Sequence, residues 1–138
     1  MALVLDTHAV IWYLSGSNKL SLTARLAIES AERNADDIFI SAISLVEVIY
    51  LAERGKIPPT ALRRLQDALK HSAASVIVAP LDSAVADAVE RVPRQMVPEM
   101  PDRIIAATAA HLKAELVTRD RRLHLAGVLK AAGIRVVW

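Results

Sequence analysis

Short, unbroken apolar runs alternate along this chain with longer segments in which apolar residues recur every three or four positions. The runs Leu3–Leu5, Ile38–Ile40 and Val76–Val78, with Leu116–Thr118 and Ile134–Val137, which admit Thr118 and Arg135, favour extended backbone and predict five strands. Thr7–Leu14 predicts a helix that leaves through Ser15-Gly16-Ser17-Asn18. Ser21–Ala35 sets Leu22, Leu26, Ala27 and Ile28 against Arg25, Glu29, Glu32 and Arg33, as an amphipathic helix does. Ser41 or Ser44 is placed to cap a helix that runs to about Arg54, where Gly55 stops it. Pro58-Pro59-Thr60 starts another, reaching about His71. Asp82–Val92 is read as helical, with Asp82 as its cap, and the proline-bearing stretch from Val92 to Pro101 as a loop. Asp102–Lys113 has almost no polar face and predicts a buried helix. A helical turn from Arg121 and a segment from Leu129 to Ala132 precede the last strand.

Strands that are apolar throughout, each followed by a helix, predict an α/β/α sandwich around a mainly parallel sheet. The 138 residues fit a single domain spanning 1–138. Open parallel sheets place their ligands at the carboxyl ends of the strands. Four acids map to that rim. Asp6 ends the first strand, Asp120 follows the fourth, and Glu47 and Asp102 lie early in two helices that face the same edge.

Each acid also has an ordinary role open to it. Asp6 and Asp120 could cap the helical turns after them, and Asp102 sits in a first turn where a carboxylate suits the helix dipole. Glu47 is harder to place that way, because Leu45, Val46, Val48 and Ile49 surround it. Carboxylates beside apolar segments are costly to bury unless neutralised. Four that meet at one point suggest a hard divalent cation, Mg²⁺ or Mn²⁺.

Composition narrows the classes. The hydrophobic fraction is 54% and the charged fraction 23%, so a packed core is expected and disorder is not. A formal charge of +2 is a weak argument for nucleic acid despite a pI near 9.2. Aromatics make up 4%, too few for an extended stacking platform. The absence of cysteine excludes disulfides and thiolate zinc sites and is compatible with the cytoplasm. No apolar run reaches the roughly 18–20 residues that span a bilayer, and no basic leader opens the chain, so no membrane role is expected.

The joint pattern resembles the PIN-domain ribonucleases, and within them the VapC-type toxins of bacterial toxin–antitoxin pairs. The matching words are LDTHAVIW at 5–12, SAISLVEVIYLAERGKI at 41–57, DRIIAATA at 102–109 and LVTRD at 116–120. They run in the family's order over essentially the whole chain. Val97-Pro98-Glu99-Met100-Pro101 departs from the His-Arg-Asp-Pro-type stretch of many relatives and leaves the acids intact. The resemblance implies that Asp6, Glu47, Asp102 and Asp120 ligate a cation or support its ligation, and it gives Thr118 a supporting role. It further implies RNA as substrate, cut to a 5′-phosphate and a 3′-hydroxyl, a homodimer, and an antitoxin partner that silences the enzyme. Leu45, Ile49, Trp12 and Leu14 are candidates for the groove that receives the antitoxin, or else ordinary core.

Other residues weigh less. Without cysteine, and without a serine in a clear His/Asp partnership, a protein nucleophile is disfavoured and cation-assisted hydrolysis is the better fit. Arg119, Arg121 and Arg122 bracket Asp120 and would either hold RNA phosphates or form a solvated turn. His8 reads as structural, His71, His111 and His124 lack metal-ligand spacing, and Trp12, Tyr13 and Tyr50 read as core or interface. A haloacid-dehalogenase-type phosphatase would need a second acid where Asp6-Thr7-His8 has none. A receiver-like module, without catalysis, would need an acid after the third strand, where Val78-Ala79-Pro80 stands.

Overall fold

The computed structural model describes residues 1–71, 76–125, 130 and 132–138. Five strands, β1 (Leu3–Leu5), β2 (Ile38–Ser41), β3 (Val76–Ala79), β4 (Glu115–Val117) and β5 (Val136–Val137), form one sheet in the order β3-β2-β1-β4-β5. Every pairing is parallel, with Leu5 beside Ile40 on one side and Val117 on the other. Among the described residues, helices connect or flank them in chain order: α1 (Thr7–Leu14), α2 (Leu22–Arg33), α3 (Ala42–Glu53), α4 (Pro59–Lys70), α5 (Ser83–Ala88) and α6 (Met100–Leu112). A short α7 (Arg121–Leu125) follows β4. The helical segment expected from Leu129 to Ala132 falls largely outside the described residues.

Alternation along the strands divides the core into two layers. Leu3, Leu5, Ile38 and Ile40 face Val10, Ile28, Val48 and Leu65 of α1–α4. Val4 and Leu116 face the other way, onto Val85 of α5 and the alanines of α6. All seven residues from Ile104 to Ala110 are buried, which is why α6 carries so little polar surface. Its small side chains let it lie close over β1, β2 and β4. The anticipated α/β/α sandwich is therefore the observed fold.

Element ends follow the local chemistry. Ser21, Ser41 and Asp82 cap α2, α3 and α5 by accepting from backbone N–H groups. Gly55, at φ +69°, carries the chain out of α3 in a left-handed turn, and Lys56 N–H donates to Leu51 O at 2.8 Å. The helix expected from Asp82 to Val92 instead tightens after Ala88 into a 3₁₀ turn over Val89–Arg91, just ahead of Pro93.

The strand order has one consequence for function. From the central β1 the chain moves outward to β2 and β3, then crosses back to place β4 on β1's other side. The crevice between the ends of β1 and β4 is thus the switch point where open parallel sheets hold ligands.

Candidate functional site

Asp6 emerges at that switch point. Its N–H continues the β1·β4 ladder by donating to Val117 O at 3.0 Å, and its carboxylate caps α1 by accepting from Ala9 N–H at 2.7 Å. The ordinary role and the site position therefore coexist in one residue. Thr7, buried beside it, donates from its hydroxyl to Glu47 Oε1 at 2.6 Å. Ser44 Oγ, fully buried, lies 3.0 Å from the same hydroxyl. Thr7 has a single proton, and the short contact to the carboxylate claims it, so Ser44 donates to Thr7. The relay Ser44–Thr7–Glu47 joins α1 to α3 and fixes where Glu47 points.

Sequence reasoning missed this relay. Its signal was periodicity: Thr7 shares a helical stripe with Val10, Ile11 and Leu14, and Ser44 shares one with Val48 and Leu51. Hydroxyls on such stripes need partners indoors. Arg103 was missed as well. It is half-buried, and it donates to Val92 O at 2.8 Å and Val89 O at 3.0 Å, which ties the preceding loop to the first turn of α6 that carries Asp102.

Thr118, Asp120 and Arg122 form the opposite wall. Thr118 is fully buried one residue past β4, and its Oγ1 accepts from Asp120 N–H at 3.1 Å. His124 Nε2 lies 2.6 Å from Thr118 O and holds the same turn from α7. Arg122 is turned inward. Its guanidinium donates to Asp120 at 2.8 and 3.2 Å and reaches Asp102 Oδ2 at 3.4 Å. The basic cluster therefore divides, because two nearby carboxylates draw in the one guanidinium that can span them. Arg119 and Arg121, with Asp6 and Asp120, line a cleft of about 810 Å³.

The four acids sense one another. Burial pushes the Asp102 carboxyl up to about 6, and the charges of Glu47, Asp120 and Asp6 add to the rise while Arg122 opposes it. Burial also raises Asp6, against the pull of Thr118, Ala9 N–H and His8. Asp120 moves the other way, held down by its hydrogen bond with Arg122. At both Asp6 and Asp102 burial is the larger cause, and the neighbouring carboxylates add to it. The donor set is all oxygen and suits a hard cation.

The side chains do not yet form a cage. Among the described residues, no three acidic or histidine side chains are so arranged that they could hold a metal ion as they stand. The reason lies in their partners. Asp6 is bonded to Ala9, Glu47 to Thr7, and Asp120 to Arg122. Rotation about side-chain bonds, with release of Arg122, is what ligation would require. The remaining histidines stand apart, except that His8 borders the cleft with its ring 5.4 Å from that of Trp12.

Asp102 makes stability depend on pH. Its ordinary pKa is near 3.9, so between about pH 4 and 6 the folded protein keeps a proton that the unfolded chain releases. Stability from this group is full below that window and is lost as pH rises through it. With the side chain 33% exposed, solvent screening reduces the full two-unit penalty to about 1–2 kcal/mol. Asp102→Asn is expected to stabilise the protein by that amount at pH 7.5 in EDTA, and to converge with wild type below pH 4. Urea midpoints at both pH values check this, and a variant less stable at pH 7.5 would contradict it.

Comparisons with known proteins bear on the fold and the family. A family model described as PIN domain matches residues 3–129. The chain is 35% identical over 122 residues to "Ribonuclease VapC22" of Mycobacterium tuberculosis (strain ATCC 25618 / H37Rv), covering 87% of this chain and 88% of that relative. Its fold is similar to that in the crystal structure of VapBC2 from Rickettsia felis bound to a promoter DNA fragment. There the TM-score is 0.71 at 18% identity, with both chains covered fully. It is also similar to a chain of a toxin–antitoxin complex from Klebsiella pneumoniae, with a TM-score of 0.60 at 24% identity over 86% of each chain. The structural likenesses speak for the fold alone. With a family model spanning nearly the whole sequence and a relative more than one-third identical, the chain belongs to the PIN domain family.

Proposed function

We propose that this protein is an endoribonuclease dependent on Mg²⁺ or Mn²⁺, acting as the toxin of a toxin–antitoxin pair. One observation carries the reading: carboxylates from four separate elements are electrostatically coupled at the switch point of a parallel sheet. The 35% identity to a protein named a ribonuclease supports RNA as the substrate.

In this reading Asp6, Glu47, Asp102 and Asp120 hold the cation. The chemistry it supplies is activation of water and neutralisation of phosphate charge. The chain's own residues do the positioning. Ser44 and Thr7 orient Glu47, while Thr118 fixes the Asp120 backbone and acts on the Asp6 carboxyl. Arg119 and Arg121, which line the cleft, attract the RNA backbone. Arg122 neutralises Asp120 and Asp102 until it is released. The phosphatase alternative loses ground, because His8 stands where its second acid, two residues after Asp6, would have to be.

Asp6→Asn, Glu47→Gln, Asp102→Asn and Asp120→Asn keep side-chain volume and remove charge. Each is expected to slow cleavage of single-stranded RNA at least about a hundredfold while the protein stays folded. EDTA should abolish cleavage and Mn²⁺ restore it. His8→Ala should cost far less. Gel assays of end-labelled RNA decide this, and an active Asp120→Asn variant beside a dead His8→Ala variant would overturn the mechanism.

The partners follow from the exposed apolar surface. Val46, Tyr50 and Met100 line a second groove of about 370 Å³ beside Glu47, and Ile49 is exposed nearby. Of the residues first considered for an antitoxin groove, Leu45, Trp12 and Leu14 pack against the core, which leaves Ile49 on the surface. We assign this face to apolar side chains of the antitoxin, with an antitoxin Arg or Lys drawn toward Glu47. Among the described residues no helix is long and apolar enough to cross a membrane, and we place the action in the cytoplasm. The protein is expected to be a homodimer, with light scattering giving twice the 15.0 kDa chain mass. A strict monomer would refute the dimer, and toxicity unchanged by co-expression of a small protein encoded next door would refute the antitoxin.

A further inference from the structure

The chain's aromatic residues are few, yet they are unevenly placed. Both of its tryptophans, Trp12 at the end of the first helix and Trp138, line the 810 Å³ cleft that Asp6 and Asp120 border. Each is only partly buried. Their ring centres lie 5.9 Å apart and the planes are tilted by 59°, so the two form an angled corner and do not stack on each other. His8 adds a third ring, its centre 5.4 Å from that of Trp12 and its plane tilted by 46°. The exposed Arg119 lays its guanidinium over Trp12, with the central carbon 4.8 Å from the ring centre. That contact pairs a flat, charged group with the ring at the border of the cleft. Arg121 lines the same cleft and contributes a second cation.

Flat rings, a flat guanidinium and adjacent cations, immediately beside the carboxylates, suit one kind of ligand. Unpaired bases stack on aromatic rings and on arginine planes, while their phosphates seek cations. We propose that this cleft is a subsite for one unpaired nucleobase of the RNA, stacked in the corner formed by Trp12, Trp138 and the Arg119 guanidinium, with the adjoining phosphate on Arg121. The proposal rests on the ribonuclease reading and deepens it, because it makes the substrate single-stranded at the cut. It also changes the role of Trp12, whose apolar setting alone reads as core. The cleft volume falls within the range of small-ligand pockets, and two ring walls suffice for one base but not for a track of several.

The two tryptophans are the chain's only ones, so their fluorescence reports on this cleft alone. The test titrates the full chain, in EDTA so that nothing is cut, with a five-nucleotide RNA and with an abasic ribose-phosphate strand of equal length. The base-bearing strand is expected to quench the fluorescence and to bind about tenfold more tightly than the abasic one. Trp138→Leu and Arg119→Lys should abolish most of that preference, the second without touching the core or the charge, whereas Trp138→Phe should retain it. Equal binding of both strands by wild type, an undiminished preference in Arg119→Lys, or equal quenching by a five-residue glutamate peptide would overturn the proposal, the last by giving the cleft to a protein partner. Because the measurement needs no cleavage, the two readings can fail separately. A wild type that cuts RNA without preferring bases loses only the subsite, and one that prefers bases but cuts no RNA loses only the nuclease.

Discussion

Carboxylates drawn to one rim of a sheet repel each other, and much of the local structure can be traced to how that repulsion is offset. A pair of unit charges about 5 Å apart costs roughly 3 kcal/mol at an effective dielectric of 20. Here each acid meets a different answer. Asp6 takes a backbone N–H, Glu47 takes a hydroxyl, and Asp120 takes a guanidinium. Among the described residues Asp102 has the long contact to Arg122 alone, and burial, reinforced by the neighbouring charges, pushes its carboxyl up to about 6. A protein tolerates such a group where the site has work to do.

Topology is what makes the conflict unavoidable. Asp6 directly follows β1, and Asp120 lies in the turn three residues past the adjacent parallel β4, held there by Thr118, so the β1·β4 pairing brings both to one crevice. Glu47 arrives from α3, which packs against α1 and α6, and Asp102 arrives from α6, which is buried along most of its length. The supports are as specific as the acids. Ser44 and Thr7 hold one side, Thr118 and His124 the other, and Arg103 anchors the chain that leads into α6. These supports fix the backbone and the starting positions of the acids, while ligation still requires the side chains to turn.

The strands and the parallel sheet were legible in the sequence because each rests on a local pattern, and the strand ends were enough to place Asp6 and Asp120 at one rim. Leu3–Leu5 was bounded correctly, since an apolar run ending at an acid has few alternatives. The break of the fifth helix after Ala88 was not legible, because Val89-Glu90-Arg91 suits an α-helix equally well until the following Pro93 is weighed. Thr7, Ser44 and Arg103 were hidden for another reason. Their importance lies in pairings 37, 40 and 11 to 14 residues away, which no local pattern encodes. The inward turn of Arg122 was hidden likewise, since only the fold brings Asp102 within reach of a side chain twenty residues later.

The central claim is that these acids form a cation site whose filling must displace internal partners. Calorimetric titration of Mn²⁺ into the protein from pH 5 to pH 8 tests it most directly. Ligand carboxyls must lose their protons first, so the affinity should rise through about pH 6, where Asp102 titrates, and level off above pH 7. Proton release should be detectable near pH 6 and absent at pH 8. Millimolar Mn²⁺ that gives no heat, or an affinity independent of pH across this range, would contradict the account.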